Sequence, residues 1–256
     1  MTGAQRLEAS LRAPRWAGRP ALMPYLTAGY PDRSGFSALL RRVAAVADAV
    51  EIGVPFSDPM ADGVSIQASS RTALENGVTL RWIVATLAKM DPRPDAPLLL
   101  MSYLNPLLAY GVPGLMRDAA AAGVCGLIIP DLPWEECGAV REEAQEVGLA
   151  LVQLVTPITP PDRLATLTAG SRGFVYAVTM TGVTGGEVLP AALRDYLDRI
   201  RVVSPVPVCA GFGIRSPEQV EGLTGLADGV IVGSALIDVL ARGEDPIAFL
   251  KALVGA

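Results

Sequence analysis

The chain contains no histidine, and its only lysines are Lys89 and Lys251. Without imidazole, histidine general-base chemistry, a Ser-His-Asp triad and most zinc sites are excluded within this chain. Lys89 falls in RWIVATLAKM, a stretch patterned as an outer helix, and Lys251 lies near the C-terminus, so neither suits a buried Schiff-base lysine. Any catalysis therefore falls to carboxylates, tyrosines and backbone groups. Charge is scarce as well: 18% of residues are charged, the formal net charge is -5, and no basic block occurs, which argues against a nucleic-acid partner. The three cysteines, Cys125, Cys137 and Cys209, are odd in number and scattered through apolar segments, as expected of reduced core thiols in a cytoplasmic protein. Glu8, Arg12 and Arg15 interrupt the N-terminal residues, so no secretory signal is expected there. The longest uncharged run, 96–116, is broken by Pro97, Pro106, Gly111, Pro113 and Gly114, so a strand followed by a loop is expected and not a membrane span.

What is present is apolar and periodic. Hydrophobic residues make up 51% of the 256 residues, enough for a sizeable core. Short β-rich runs at 21–27, 49–53, 97–103, 124–131, 149–155, 173–179, 206–211 and 229–233 predict eight strands. Helical patterns such as GFSALLRRVAAVA, PGLMRDAAAAG and LPAALRDYLDRIRVV stand between them, several with a Pro or Asp start and a Gly stop. Near-continuous apolar strands alternating with helices imply a parallel sheet covered on its outside. Eight such units at this length predict one domain with an α/β fold, a (β/α)8 TIM barrel, with a doubly wound sheet as the alternative. About 43 residues separate the second and third strands, room for an extra loop and helix at the C-terminal mouth, where such barrels build their active sites.

Three groups of residues could carry chemistry there. Glu51 ends the second strand, and Asp58 and Asp62 follow in GVPFSDPMADG; burial of such a carboxylate raises its pKa toward that of a useful acid and base. Taken singly, each acid also has an ordinary reading as a solvated strand end or a turn. Glycines cluster in GVTGG, GFGIR and GSAL after the last three strands, where backbone N–H groups can approach a phosphate, with Ser234 expected to open the final helix. Tyr103 at the end of the third strand, Tyr176 inside the sixth and Tyr25 on the first either orient a carboxylate or substrate or simply fill the core.

The segments PYLTAGYPD, EIGVPFSDPMADGVSIQ, IIPDLPWEE, GVTGG, GFGIRSPEQV and IVGSAL, in this order and spacing, resemble the tryptophan synthase alpha subunits over about residues 25–235. The resemblance implies a barrel that cleaves indole-3-glycerol phosphate to indole and glyceraldehyde 3-phosphate. It also implies a tryptophan synthase beta subunit as partner in an alpha2beta2 assembly, to which indole is passed. Glu51 then matches the general acid and base, Asp62 the carboxylate that hydrogen-bonds the indole N–H, and Tyr176 a supporting tyrosine. Gly185, Gly213, Gly233 and Ser234 match phosphate-binding positions, and Tyr25, Tyr103 and Thr184 are expected to meet substrate. No metal or cofactor is implied in this chain, pyridoxal phosphate being confined to the beta partner. Met180, where some members carry a basic residue, and Trp134, where a smaller one is common, depart from the pattern.

The glycine clusters alone would also serve another phosphosugar barrel, an isomerase or decarboxylase, and a non-enzymatic activating subunit would keep the same fold. Glu51 together with Asp62 is what separates the lyase from both. The loop 55–60, with two prolines, Phe56 and Asp58, is expected to dock the beta subunit and to bring Asp62 into place on docking; the alternative is that Phe56 packs back onto the barrel.

Overall fold

The computed structural model describes residues 1–16, 18–179, 191–211 and 213–255. Its strands are β1 (Ala21–Thr27), β2 (Val50–Gly53), β3 (Leu98–Met101), β4 (Val124–Ile128), β5 (Ala150–Val155), β6 (Val175–Val178), β7 (Val208–Gly211) and β8 (Gly229–Val232). Each pairs in parallel with the next, and β8 returns to β1, so the sheet closes and the doubly wound alternative falls. Around it run α2 (Phe36–Ala44), α3 (Val64–Glu75), α4 (Leu80–Ala88), α5 (Leu104–Tyr110), α6 (Val112–Ala121) and α7 (Gly138–Glu146), then α8 (Pro161–Gly170), α9 (Ala191–Val203), α10 (Pro217–Gly222), α11 (Ser234–Ala241) and α12 (Pro246–Leu253).

Strand side chains alternate between two apolar layers. Leu22, Leu26, Ile52, Leu98 and Leu100 face outward against Phe36, Leu40, Ile83 and Leu87 of the helices. Ala21, Met23, Leu99, Phe174, Cys209 and Ile231 face inward. Each such fully buried large side chain contributes about 1.5–3 kcal/mol relative to an exposed one. All three cysteines are free and buried, as expected, and Lys89 and Lys251 are exposed.

The N-terminal end of the barrel is closed by a helix that the sequence pattern did not announce, α1 (Gly3–Trp16). Leu7 and Leu11, one turn apart, are fully buried in the inner layer with Ala21, Ala49, Cys125 and Ala150. Polar side chains of α1 fasten it to the loops that feed the strands: Arg6 donates to the carbonyls of Pro94 and Asp95, Ser10 to that of Asp48, and Arg12 to that of Pro205.

Two expectations are corrected. After β3 the chain does not enter a loop but forms α5 and then α6. Pro106 lies in the first turn of α5, where its missing N–H has no helical partner to lose. Ser234 does open a helix, but α11 is followed by α12, so it is not the last one.

Candidate active site

Glu51 stands in β2 beside Tyr25 of β1 and Leu99 of β3, and these register partners share the inner face of the sheet. Its side chain is 1% exposed. Among the described residues no group hydrogen-bonds its Oε2. Loss of water, reinforced by the negative charge of Asp62, pushes its carboxyl up to about 8, which favours the neutral acid.

Asp62 follows β2 on the loop that leads into α3. Burial raises its pKa too, but a hydrogen bond from the Tyr103 hydroxyl opposes the rise and favours its charged form. Tyr103, just past β3, is itself pushed up to about 12, first by burial, and its hydroxyl accepts from the Ala61 N–H at 2.9 Å. Phe56 stacks on its ring with centroids 5.2 Å apart. Thus Phe56 packs back onto the barrel, and Asp62 lines the cavity. Asp58, the other acid of this loop, is exposed and bonds to Ser57.

Tyr25 and Tyr176 enter the same space, and burial raises both phenols above the ordinary tyrosine value. They fit because the neighbouring strands carry glycine: a Cβ on Gly53 would land on the Tyr25 phenol, and one on Gly211 on the Tyr176 phenol. Thr27 donates to the Tyr25 oxygen at 3.4 Å and lies 2.6 Å from the Ser69 hydroxyl, which in turn donates to the Ile66 carbonyl of α3. The first strand and the helix behind Asp62 are thereby tied together.

Two helices present their N-termini to the same cavity. Gly63 caps α3 and Gly233 caps α11, neither with a side chain on the free N–H groups, whereas Thr79 and Asp245 cap α4 and α12 with their own oxygens. Uncapped N–H groups and the helix dipole favour an anion. A Cβ on Gly63 would lie 3.8 Å from the Ser234 Oγ, so the two helix ends adjoin.

One cavity of about 130 Å³ collects these residues. Glu51, Asp62, Tyr176, Tyr25, Gly213, Gly233 and Ser234 line it, and Tyr103 reaches it through Asp62. Thr184 and Gly185, like Met180, lie outside the described residues. Trp134 is remote from the cavity: it covers Gly170 of α8 and lies under the Arg141 guanidinium. Sequence reasoning missed Ile66, Met101, Ile231 and Arg215 on the cavity wall. Ile66 and Arg215 sat inside the two most informative segments, but nothing in their spacing marked them as facing inward. Among the described residues no group of acids and cysteines could hold a metal ion.

Comparison with known proteins agrees with this geometry. Residues 11–253 match the family model for the tryptophan synthase alpha chain. The alpha chain of Nitratidesulfovibrio vulgaris is 47% identical over 97% of this chain and 98% of its own length. Tryptophan synthase of Mycobacterium tuberculosis superposes with a TM-score of 0.89 at 38% identity, covering 98% of this chain and 97% of that one. A chain of the tryptophan synthase α2β2 complex of Pyrococcus furiosus does so with a TM-score of 0.86 at 37% identity, covering 92% and 98%. With its barrel closed around an acid pair and two glycine-capped helix ends, the chain belongs to the tryptophan synthase alpha chain family.

Proposed function

We propose that the cavity cleaves indole-3-glycerol phosphate to indole and glyceraldehyde 3-phosphate, with Glu51 as acid and base and Asp62 as the charge that steadies the ring. The phosphate sits at the glycine-capped helix ends beside Gly213, Gly233 and Ser234, which leaves the indole toward the two acids. Neutral Glu51 gives its proton to indole carbon 3, and the resulting cation is held by the Asp62 carboxylate on the ring N–H. The Glu51 carboxylate then takes the proton of the side-chain hydroxyl on the carbon next to the ring. As the aldehyde forms, the carbon–carbon bond breaks, its electrons return to the ring, and Glu51 ends protonated as it began.

The ring is the electron sink, so the route draws on side chains alone, and pyridoxal phosphate belongs to the beta subunit that consumes the indole. The hydrogen bond from Tyr103 favours the charged form of Asp62, while Tyr25 and Tyr176 fill the flanks of the indole site. This reading places the chain in the cytoplasm, where its three thiols stay reduced. The observation that carries it is the pair of carboxylates in unequal surroundings on one cavity, Glu51 buried with no hydrogen bond to its Oε2 among the described residues and Asp62 bonded by the Tyr103 hydroxyl, which is how a single site obtains an acid and a stabilising anion.

Indole release by the chain, alone and with a beta subunit, is the test. Glu51→Gln keeps the shape but cannot carry a proton, and its turnover falls by at least ~10²-fold with an unchanged circular dichroism spectrum. Near-normal turnover would remove Glu51 from the role. Asp62→Asn lowers kcat as well as kcat/KM; a change in KM alone would leave Asp62 a binding group only.

A further inference from the structure

The segment GFGIRSPEQV brings more than glycine to the cavity. Arg215 lines the wall beside Gly213 and Ser234, and it is the one cation among the described residues that do so. Its guanidinium is held at 2.8 Å by Asp238. Asp238 lies four residues after Ser234 on α11, one turn along the same helix face. Burial alone would raise the Asp238 carboxyl, but the hydrogen bonds from Ser65 and Arg215 outweigh it and hold it below the usual range. With side chains 56% and 28% exposed, the pair is screened by water and can be exchanged for another partner at little cost.

We propose that Arg215 is a phosphate-binding residue of this chain, parked on Asp238 in the free protein and handed to the substrate phosphate on binding. The proposal rests on the phosphate placement argued above and assigns a further residue to it. A phosphate dianion offers more charge than the Asp238 carboxylate and matches the planar fork of a guanidinium. Asp238 is not stranded by the exchange, because Ser65 still bonds it and Arg242 remains near. The wall of the cavity then offers a cation beside Gly213 and Ser234 as well as its two acids, which orients a ligand that is itself apolar at one end and anionic at the other.

The test compares Arg215→Gln, Arg215→Lys, Asp238→Asn and Ser234→Leu in the full chain with its beta subunit. The readouts are KM and kcat for indole-3-glycerol phosphate and dissociation constants for glycerol 3-phosphate and free indole. Arg215→Gln raises the KM and the glycerol 3-phosphate constant about tenfold. The indole constant stays in place and the effect falls on KM rather than kcat; Arg215→Lys recovers part of the loss. Asp238→Asn moves the glycerol 3-phosphate constant the other way, about threefold tighter, since it removes a repelling charge and frees the guanidinium. If Arg215→Gln leaves both constants unchanged, or Asp238→Asn weakens phosphate binding, while Ser234→Leu still weakens it, the role of Arg215 is overturned and the phosphate site stands. If Ser234→Leu has no effect either, the phosphate lies elsewhere and both readings fail.

Discussion

A carboxyl that stays protonated to serve as an acid is also a group the fold holds away from its preferred state. Glu51 has an ordinary value of 4.5 and is pushed up to about 8 in the folded chain. Between those values the folded chain keeps a proton that the unfolded chain releases, so folding stability falls as pH rises through this window, by at most about 1.4 kcal/mol per pH unit. Glu51→Gln does not titrate. Its stability relative to the parent chain should therefore climb from pH 5 to pH 8, reaching a gain on the order of 3 kcal/mol. Urea denaturation at the two pH values measures it, and a difference that stays flat would show that Glu51 ionises freely in the fold. Position alone left Glu51, Asp58 and Asp62 each with an ordinary reading; the resemblance carried by EIGVPFSDPMADG singled out Glu51 and Asp62, and these two line the cavity while Asp58 is exposed. Arg215 was not legible, because its place on the wall depends on α11 lying across from it, a contact between segments far apart in the chain.

At the scale of elements, all eight strands could be read from their apolar runs, and β1 keeps its expected ends. The third run is shorter than its apolar stretch for a functional reason. β3 ends at Met101, Ser102 still donates its N–H to the Ile128 carbonyl of β4, and Tyr103 turns away to cap α5, which carries its hydroxyl to the Ala61 N–H and to Asp62. Helix α5 was hidden by its proline, which marks a break in the middle of a helix but is neutral in its first turn. Helix α1 was hidden by composition: its mean character is polar, and the two leucines that dock it, Leu7 and Leu11, show as a buried stripe only once the barrel gives them a floor to fill. Leu11→Ala removes one of them from a fully buried site. It should cost about 2–5 kcal/mol and lower the urea midpoint, while kcat of the folded protein at the far end of the barrel stays near that of the parent. A loss of kcat without a loss of stability would mean that α1 reaches the chemistry.

For the molecule as a whole, the two ends of the barrel are unlike. The C-terminal mouth carries exposed apolar side chains on separate elements, Met60 at 83% on the loop before Asp62, Leu108 on α5 and Ile158 after β5. A beta subunit seated over them would press on a loop whose Phe56 already stacks against Tyr103, the tyrosine that holds Asp62. Binding linkage is reciprocal, so a ligand that steadies this loop must tighten the complex as much as the complex tightens the ligand. The dissociation constant of the alpha and beta chains, measured with and without glycerol 3-phosphate, should fall in its presence; an unchanged constant would separate the loop from the partner. The other end is stoppered by α1, whose leucines fill the floor and whose polar side chains clasp the loops before β2, β3 and β7. Among the described residues that end is filled by side chains, so the traffic of the cavity turns toward the mouth, and a partner seated there would meet whatever leaves.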